Sequence, residues 1–150
     1  MSRLAYLENE TATADCLYYL NKSLHSIELF YEVALPEHFM VEHPLGSVIG
    51  KAKYGDYFCF YQGCTIGGNY NNGVLKYPTI GNNVRMYANS TIIGDSKIGD
   101  NVIISANTYI KNQVIPDNSI VFGSSPDNLV IIRKEKDDIF KMFQDVWIIK

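Results

Sequence analysis

A large aliphatic residue returns at every sixth position through the second half of this chain: Ile80, Met86, Ile92, Ile98, Ile104 and Ile110. The chain is 47% hydrophobic, so six apolar hits in a row would arise by chance roughly once in a hundred trials, and a run of Ile and Met alone far less often. Four residues after each stands a second row, Val84, Ser90, Ser96, Val102, Thr108 and Val114, small or β-branched throughout. A helix repeats at about 3.6 residues and a strand at about 2, so neither gives a period of six. A chain coiling through three short strands per turn does, with three sixes to a coil. Ile80 then stacks on Ile98, Met86 on Ile104 and Ile92 on Ile110, and these side chains fill a triangular prism. Gly81-Asn82-Asn83, Gly94-Asp95 and Gly99-Asp100-Asn101 fall at the corners, where sharp bends need residues that tolerate unusual dihedrals.

The rows continue upstream as Tyr54, Phe60 and Ile66, with Phe58 and Cys64 in the second row, which adds an earlier coil with a wider, more aromatic interior. From Ile66 to Ile80 the period is interrupted, so residues 67–79 are expected to be extruded as a Gly- and Asn-rich loop. Loops on a rigid repeat are where such scaffolds carry specificity. Residues 13–30 place Leu17, Leu20, Leu24 and Ile27 at helical spacing, and residues 137–147 place Ile139, Phe140, Phe143, Val146 and Trp147 on one stripe. Both are expected to pack as caps, because an open end coil would present unpaired strand edges. The expected organisation is mainly β: a helical N-terminal cap over residues 1–31, a parallel β-helix over 32–126 and a strand and helix tail over 127–150.

At 150 residues this is one domain. The net charge of −3 supplies no basic field for nucleic acid or for an anionic membrane surface. No apolar run is long enough to cross a bilayer, and the first fifteen residues are polar and acidic rather than signal-like, which points to the cytoplasm. Cys16, Cys59 and Cys64 are an odd number without metal-ligand spacing and are expected to be reduced packing residues.

Three segments bear on chemistry: Phe39-Met40-Val41-Glu42-His43-Pro44-Leu45-Gly46, Tyr61-Gln62-Gly63-Cys64-Thr65-Ile66-Gly67-Gly68 and Lys76-Tyr77-Pro78-Thr79-Ile80-Gly81. In order and spacing they resemble the serine acetyltransferase branch of the hexapeptide-repeat acyltransferases, over roughly residues 32–126. The resemblance implies a left-handed parallel β-helix, acetyl-CoA as co-substrate, a small hydroxyl-bearing acceptor (serine or a sugar) and a homotrimer with active sites between subunits. It makes His43 the general base, since an imidazole titrating near neutrality can take a hydroxyl proton. Glu32 is its implied carboxylate partner, with Glu28 the other candidate. Glu42 and Lys76 correspond to residues that contact the acceptor. Lysine supplies positive charge there without the bidentate fork of an arginine. Tyr77 stands where the family has a second histidine, and a phenol is not a base near neutral pH without a large pKa shift.

The backbone amides of Gly67 and Gly68 are candidate donors to the thioester oxyanion, because a missing side chain lets the carbonyl approach. Ala88, Ser105 and Ala106 fall where relatives form the CoA groove, with Lys111, Arg133 and Lys134 as candidate phosphate contacts, and no metal is expected. Two other readings share the scaffold. One is a catalytically silent binding or assembly protein. The other is a zinc-dependent γ-type carbonic anhydrase, for which His38 and His43 have a suggestive spacing but His25 lies less than one coil before His38.

Overall fold

The structure, a computed structural model, describes residues 1–143. Helices α1 (Ser2–Leu7) and α2 (Thr11–His25) precede a short strand, β1 (Glu28–Leu29). The chain then winds as a left-handed parallel β-helix. Its first coil is β2 (Phe39–Val41), β3 (Val48–Ile49) and β4 (Lys53–Tyr54). The second begins with β5 (Phe58–Phe60) and β6 (Thr65–Gly67), throws out a hairpin of β7 (Asn69–Asn71) and β8 (Val74–Lys76), and closes with β9 (Thr79–Ile80). The third is β10 (Val84–Met86), β11 (Thr91–Ile93) and β12 (Lys97–Ile98), and the fourth β13 (Val102–Ile104), β14 (Tyr109–Lys111) and β15 (Val114–Ile115). The fifth opens with β16 (Ser119–Ser124), against which β17 (Asn128–Arg133) folds back antiparallel before α3 (Lys136–Lys141).

Three faces result. The first stacks β2, β5, β10, β13 and β16. The second stacks β1, β3, β6, β11 and β14, and the third β4, β9, β12 and β15. The registers pair Ile80 with Ile98, Met86 with Ile104 and Ile92 with Ile110, the stacks that the six-residue period requires. Upstream, Tyr54 pairs with Ile80, Phe60 with Met86 and Ile66 with Ile92, so the aromatic coil is continuous with the aliphatic ones. These residues form one core, and each fully buried aliphatic or aromatic side chain contributes roughly 1.5–3 kcal/mol.

Residue 57 and Asn83, Asn101 and Asn118 stack with positive φ at the edge between the third and first faces, and the asparagine amides bond one another down this edge. A parallel ladder runs through Asp56, Asn82, Asp100 and Asp117, where each side-chain oxygen accepts the backbone N–H of its counterpart one coil earlier. Asparagine and aspartate close these corners because they tolerate the left-handed region and bond locally.

Several expectations change. Val114 is 69% exposed, paired with the outward Lys97, and the inward residue is Ile115, paired with Ile98. The link from β14 to β15 is Asn112-Gln113 where the preceding coil has Gly94-Asp95-Ser96, so the row shifts by one residue. The extruded loop is an ordered hairpin, turned by Asn72 and Gly73, both at positive φ as a tight two-residue hairpin turn demands. The N-terminal helix ends at His25, and Leu20 and Leu24 on its expected buried stripe are exposed. Its buried side is Ala14 and Tyr18, four apart, packed with Ala5 and Tyr31. Cys16 is exposed on α2, whereas Cys59 and Cys64 are buried, the Cys59 thiol pushed up to about 12 by burial. Ile139 in α3 and Phe143 just after it are buried and Phe140 is not, while Val146 and Trp147 lie outside the described residues. Among the described residues no helix is long and apolar enough to cross a membrane.

Candidate active site

The corner between the first and second faces takes four residues in three successive coils: 61–64, 87–90 and 105–108. In the first coil it takes six, residues 42–47, and the excess throws out the segment that holds His43. His43 is exposed, with φ +49 in the left-handed region, an unusual conformation for a non-glycine residue. Among the described residues its ring has no hydrogen-bond or ion-pair partner. The imidazole is therefore unengaged by any described side chain.

The strand registers stack Glu42, Tyr61, Tyr87 and Ser105 at one level of this edge, one residue past Val41, Phe60, Met86 and Ile104. Ala88 and Ala106 follow on the same edge, Ala106 exposed. The rings of Tyr61 and Tyr87 stack with centroids 5.1 Å apart and planes at 28°, and the Tyr61 phenol is raised from its ordinary pKa, first by burial. This aromatic wall beneath Glu42 escaped the sequence reading. The two tyrosines occupy equivalent positions in consecutive coils, but the hairpin insertion hides that equivalence from a six-residue count.

Lys76 and Tyr77 stand on a different edge, between the second and third faces, at the base of the hairpin, together with Gly67 and Gly68. A Cβ on Gly68 would meet the Tyr77 ring at 2.8 Å, so the ring lies against bare backbone. Lys51 places its Nζ 5.4 Å from the centroid of that ring. The Gly67 carbonyl accepts the N–H of Gly94 at 3.1 Å. Thus one edge carries Glu42, His43, Ala88, Ser105 and Ala106, and another carries Gly67, Gly68, Lys76 and Tyr77. A single chain does not bring the two sets together.

The carboxylate candidates do not reach His43 either. Glu32 is exposed and offers its carbonyl to Arg3 at 3.2 Å, and Glu28 is ion-paired with Lys22. The three basic residues considered for CoA are also dispersed. Lys111 ends β14 near the hairpin edge, Arg133 borders a shallow cleft on the third face with Lys97 and Asp117, and the Lys134 N–H bonds Asn118 at the far end.

A histidine and carboxylate do meet elsewhere. His38 Nδ1 lies 2.9 Å from Asp56 Oδ2, and the His38 backbone N–H donates to Asp56 Oδ1 at 2.8 Å. The imidazole stacks on Tyr57 at 4.8 Å. Bonding to Asp56 raises the His38 pKa, and the same contact lowers that of Asp56. This pair closes the top of the Asx ladder, since the Asp56 carboxylate accepts from the coil above as Asn82, Asp100 and Asp117 do below. The three histidines lie apart, with His25 bonded to Asn21 at the end of α2. Among the described residues no group of three His, Cys, Asp or Glu could hold a metal ion.

Comparison with known proteins accords with this architecture. Residues 77–112 match the family model for the bacterial transferase hexapeptide, six repeats. Serine acetyltransferase from Synechococcus elongatus is 34% identical over 106 residues, 70% of this chain and 43% of that protein. Among solved structures, Entamoeba histolytica serine acetyltransferase isoform 3 in complex with cysteine superposes with a TM-score of 0.71 at 30% identity, over 93% of this chain and 49% of that one. Neisseria gonorrhoeae serine acetyltransferase in complex with serine gives 0.75 at 25%, over 87% and 52%. This chain spans about half the length of the curated relatives it matches. Repeat, coil geometry and these likenesses agree, and the chain belongs to the hexapeptide-repeat acyltransferases, in their serine acetyltransferase-like branch.

Proposed function

We propose that this protein transfers an acetyl group from acetyl-CoA to the hydroxyl of a small acceptor, with His43 as general base, in a homotrimer whose active sites lie between subunits. The observation that carries the reading is the division of the site between two edges of one prism. A neighbouring copy that sets its hairpin edge beside the His43 edge supplies the missing half, and a closed ring of three makes three such sites. The unpartnered imidazole on an enlarged corner suits a base that must reach a ligand.

In the reaction a His43 ring nitrogen takes the acceptor's hydroxyl proton as that oxygen attacks the thioester carbonyl. The backbone N–H of Gly68 is the donor offered to the developing oxyanion, since the ladder with β11 takes up that of Gly67. As the carbon–sulfur bond breaks, His43 returns the proton to the departing thiolate, and the ester and CoA leave with the enzyme unchanged. Ala88, Ser105 and Ala106, small and stacked, leave room for an extended chain along the edge, with Lys111, Arg133 or Lys134 available to phosphates. Glu42 and Lys76 offer opposite charges to an acceptor, which suits an amino acid. The serine and cysteine complexes of the Neisseria and Entamoeba relatives favour the same class.

The test is release of free CoA from acetyl-CoA with a panel of amino acids, amino sugars and hexoses. His43→Ala is expected to abolish turnover while light scattering still reports a trimer. Absence of thiol release with every acceptor, together with absence of CoA binding, refutes acetyl transfer. Dispersal of the His43→Ala trimer would give that residue a structural role instead.

A further inference from the structure

The hairpin edge carries a second ammonium group besides Lys76. Lys51 follows β3 where the first coil turns from the second face to the third, and the hairpin returns Tyr77 to the same edge one coil later. An exposed lysine normally sweeps a wide volume on four rotatable bonds. Here the Tyr77 ring gives the cation a seat, with Nζ 5.4 Å from its centroid. The ring in turn lies against the bare backbone of Gly68, where even a methyl group would sit 2.8 Å from Tyr77 Cε1. Lys76 is the residue before Tyr77 and is exposed. Among the described residues neither lysine forms an ion pair, although Lys22 and Lys141 each find a carboxylate. Two uncompensated positive charges therefore stand at the base of the hairpin, beside the Gly68 amide that could receive the reacting carbonyl. The edge that a neighbouring copy would bring opposite carries Glu42.

We propose that Lys51 is a specificity-determining residue of the acceptor site: seated on Tyr77, its ammonium receives with Lys76 a negatively charged group of the acceptor. The inference rests on the acetyl-transfer reading and sharpens it, because it selects an acceptor bearing a carboxylate over a neutral sugar. Two ammonium groups on separate stems suit this task. Each is a compact charge with three donors, so each can take one carboxylate oxygen without the planar fork of an arginine. Tyr77 then acts as the platform that holds Lys51 and has no need to serve as a base.

The experiment compares wild type, Lys51→Met and Lys51→Arg with two acceptors, serine and serinol, in which a hydroxymethyl group replaces the carboxylate. Losing one charge-assisted hydrogen bond to the carboxylate is expected to lower the serine-to-serinol ratio of kcat/KM about 10- to 100-fold in Lys51→Met. Lys51→Arg, which keeps the charge, restores most of the ratio. An unchanged ratio in Lys51→Met overturns the proposal while acetyl transfer stands. Dispersal of the oligomer in Lys51→Met assigns the charge to a subunit contact and overturns it as well. A wild-type protein that acetylates neither compound, nor any other acceptor in the panel, refutes acetyl transfer itself.

Discussion

Arg85 offers the sharpest test of how the C-terminal helix is held, because it is a charged side chain only 4% exposed on the outer side of the first face. Its guanidinium donates to the Tyr87 hydroxyl at 3.2 Å and to the carbonyls of Met142 and Phe143 at 3.3 and 3.5 Å. It also lies 4.9 Å from the centroid of the Phe143 ring. The acceptors are the C-cap residue of α3, Met142, and its neighbour Phe143, at a helix C-terminus, where a positive charge is favourable. Among the described residues Arg85 Nε has no hydrogen-bond partner and no carboxylate pairs with the group, so these carbonyls and rings offset part of its desolvation. A six-residue helix does not persist in water unaided. Packing of Ile139 and Phe143 on Ile103 contributes roughly 1.5–3 kcal/mol for each fully buried side chain. Arg85→Ala removes the hydrogen bonds, strands two carbonyls and leaves a cavity, a loss of about 3–5 kcal/mol, comparable to what the packing supplies. The helix should therefore undock. Native-state hydrogen exchange reads this directly: the amides of Ile139, Met142 and Phe143 should lose protection while those of the central β-helix strands keep theirs. Arg85→Met fills the cavity without the charge and should cost clearly less. Retention of wild-type protection in Arg85→Ala would refute the argument that the guanidinium pins the helix.

Two further outcomes follow from the coil geometry. The His38–Asp56 pair should steady the first coil over a defined pH window. The contribution of His38 is complete below the ordinary histidine value of 6.5 and fades as pH rises through its raised pKa. That of Asp56 is complete above 3.8 and fades as pH falls through its lowered pKa. An NMR titration should place the His38 midpoint above 6.5, and Asp56→Asn should move it back; a midpoint indifferent to that substitution contradicts the assignment. At Gly81 an added Cβ would lie 2.6 Å from the backbone C and O of Gly99 in the next coil, which no side-chain movement relieves. Gly81→Ala should thus force the coils apart and cost about 1–3 kcal/mol in urea unfolding, and an unchanged midpoint would show that the stack is softer than its contacts imply.

How much of this was legible in the sequence depends on whether a residue answers to its neighbours in the chain or to those one coil away. The inward rows were readable because the prism admits one large aliphatic per face and coil, so packing writes itself as a strict period. Val114 failed because a single missing corner residue shifts the row, and nothing in the side chains of Asn112 and Gln113 announces that the corner is shorter. His43 was legible as a candidate through its flanking residues, but its exposure was not, since that comes from the length of the corner relative to the others. The choice of Glu32 rested on the family resemblance, whereas the fold leaves Glu32 exposed and gives the one histidine–carboxylate bond among the described residues to His38 and Asp56. Lys51 and Tyr77 show the general limit most plainly. They are twenty-six positions apart, and only the insertion of a hairpin into an eighteen-residue coil makes them neighbours. Periodicity therefore identifies the scaffold, and the candidate site residues fall where the period is broken: the enlarged corner at His43 and the hairpin that returns Tyr77 to Lys51. A search for function in such a repeat gains most from comparing the lengths of equivalent corners, because each extra residue must leave the prism and is free to meet a ligand.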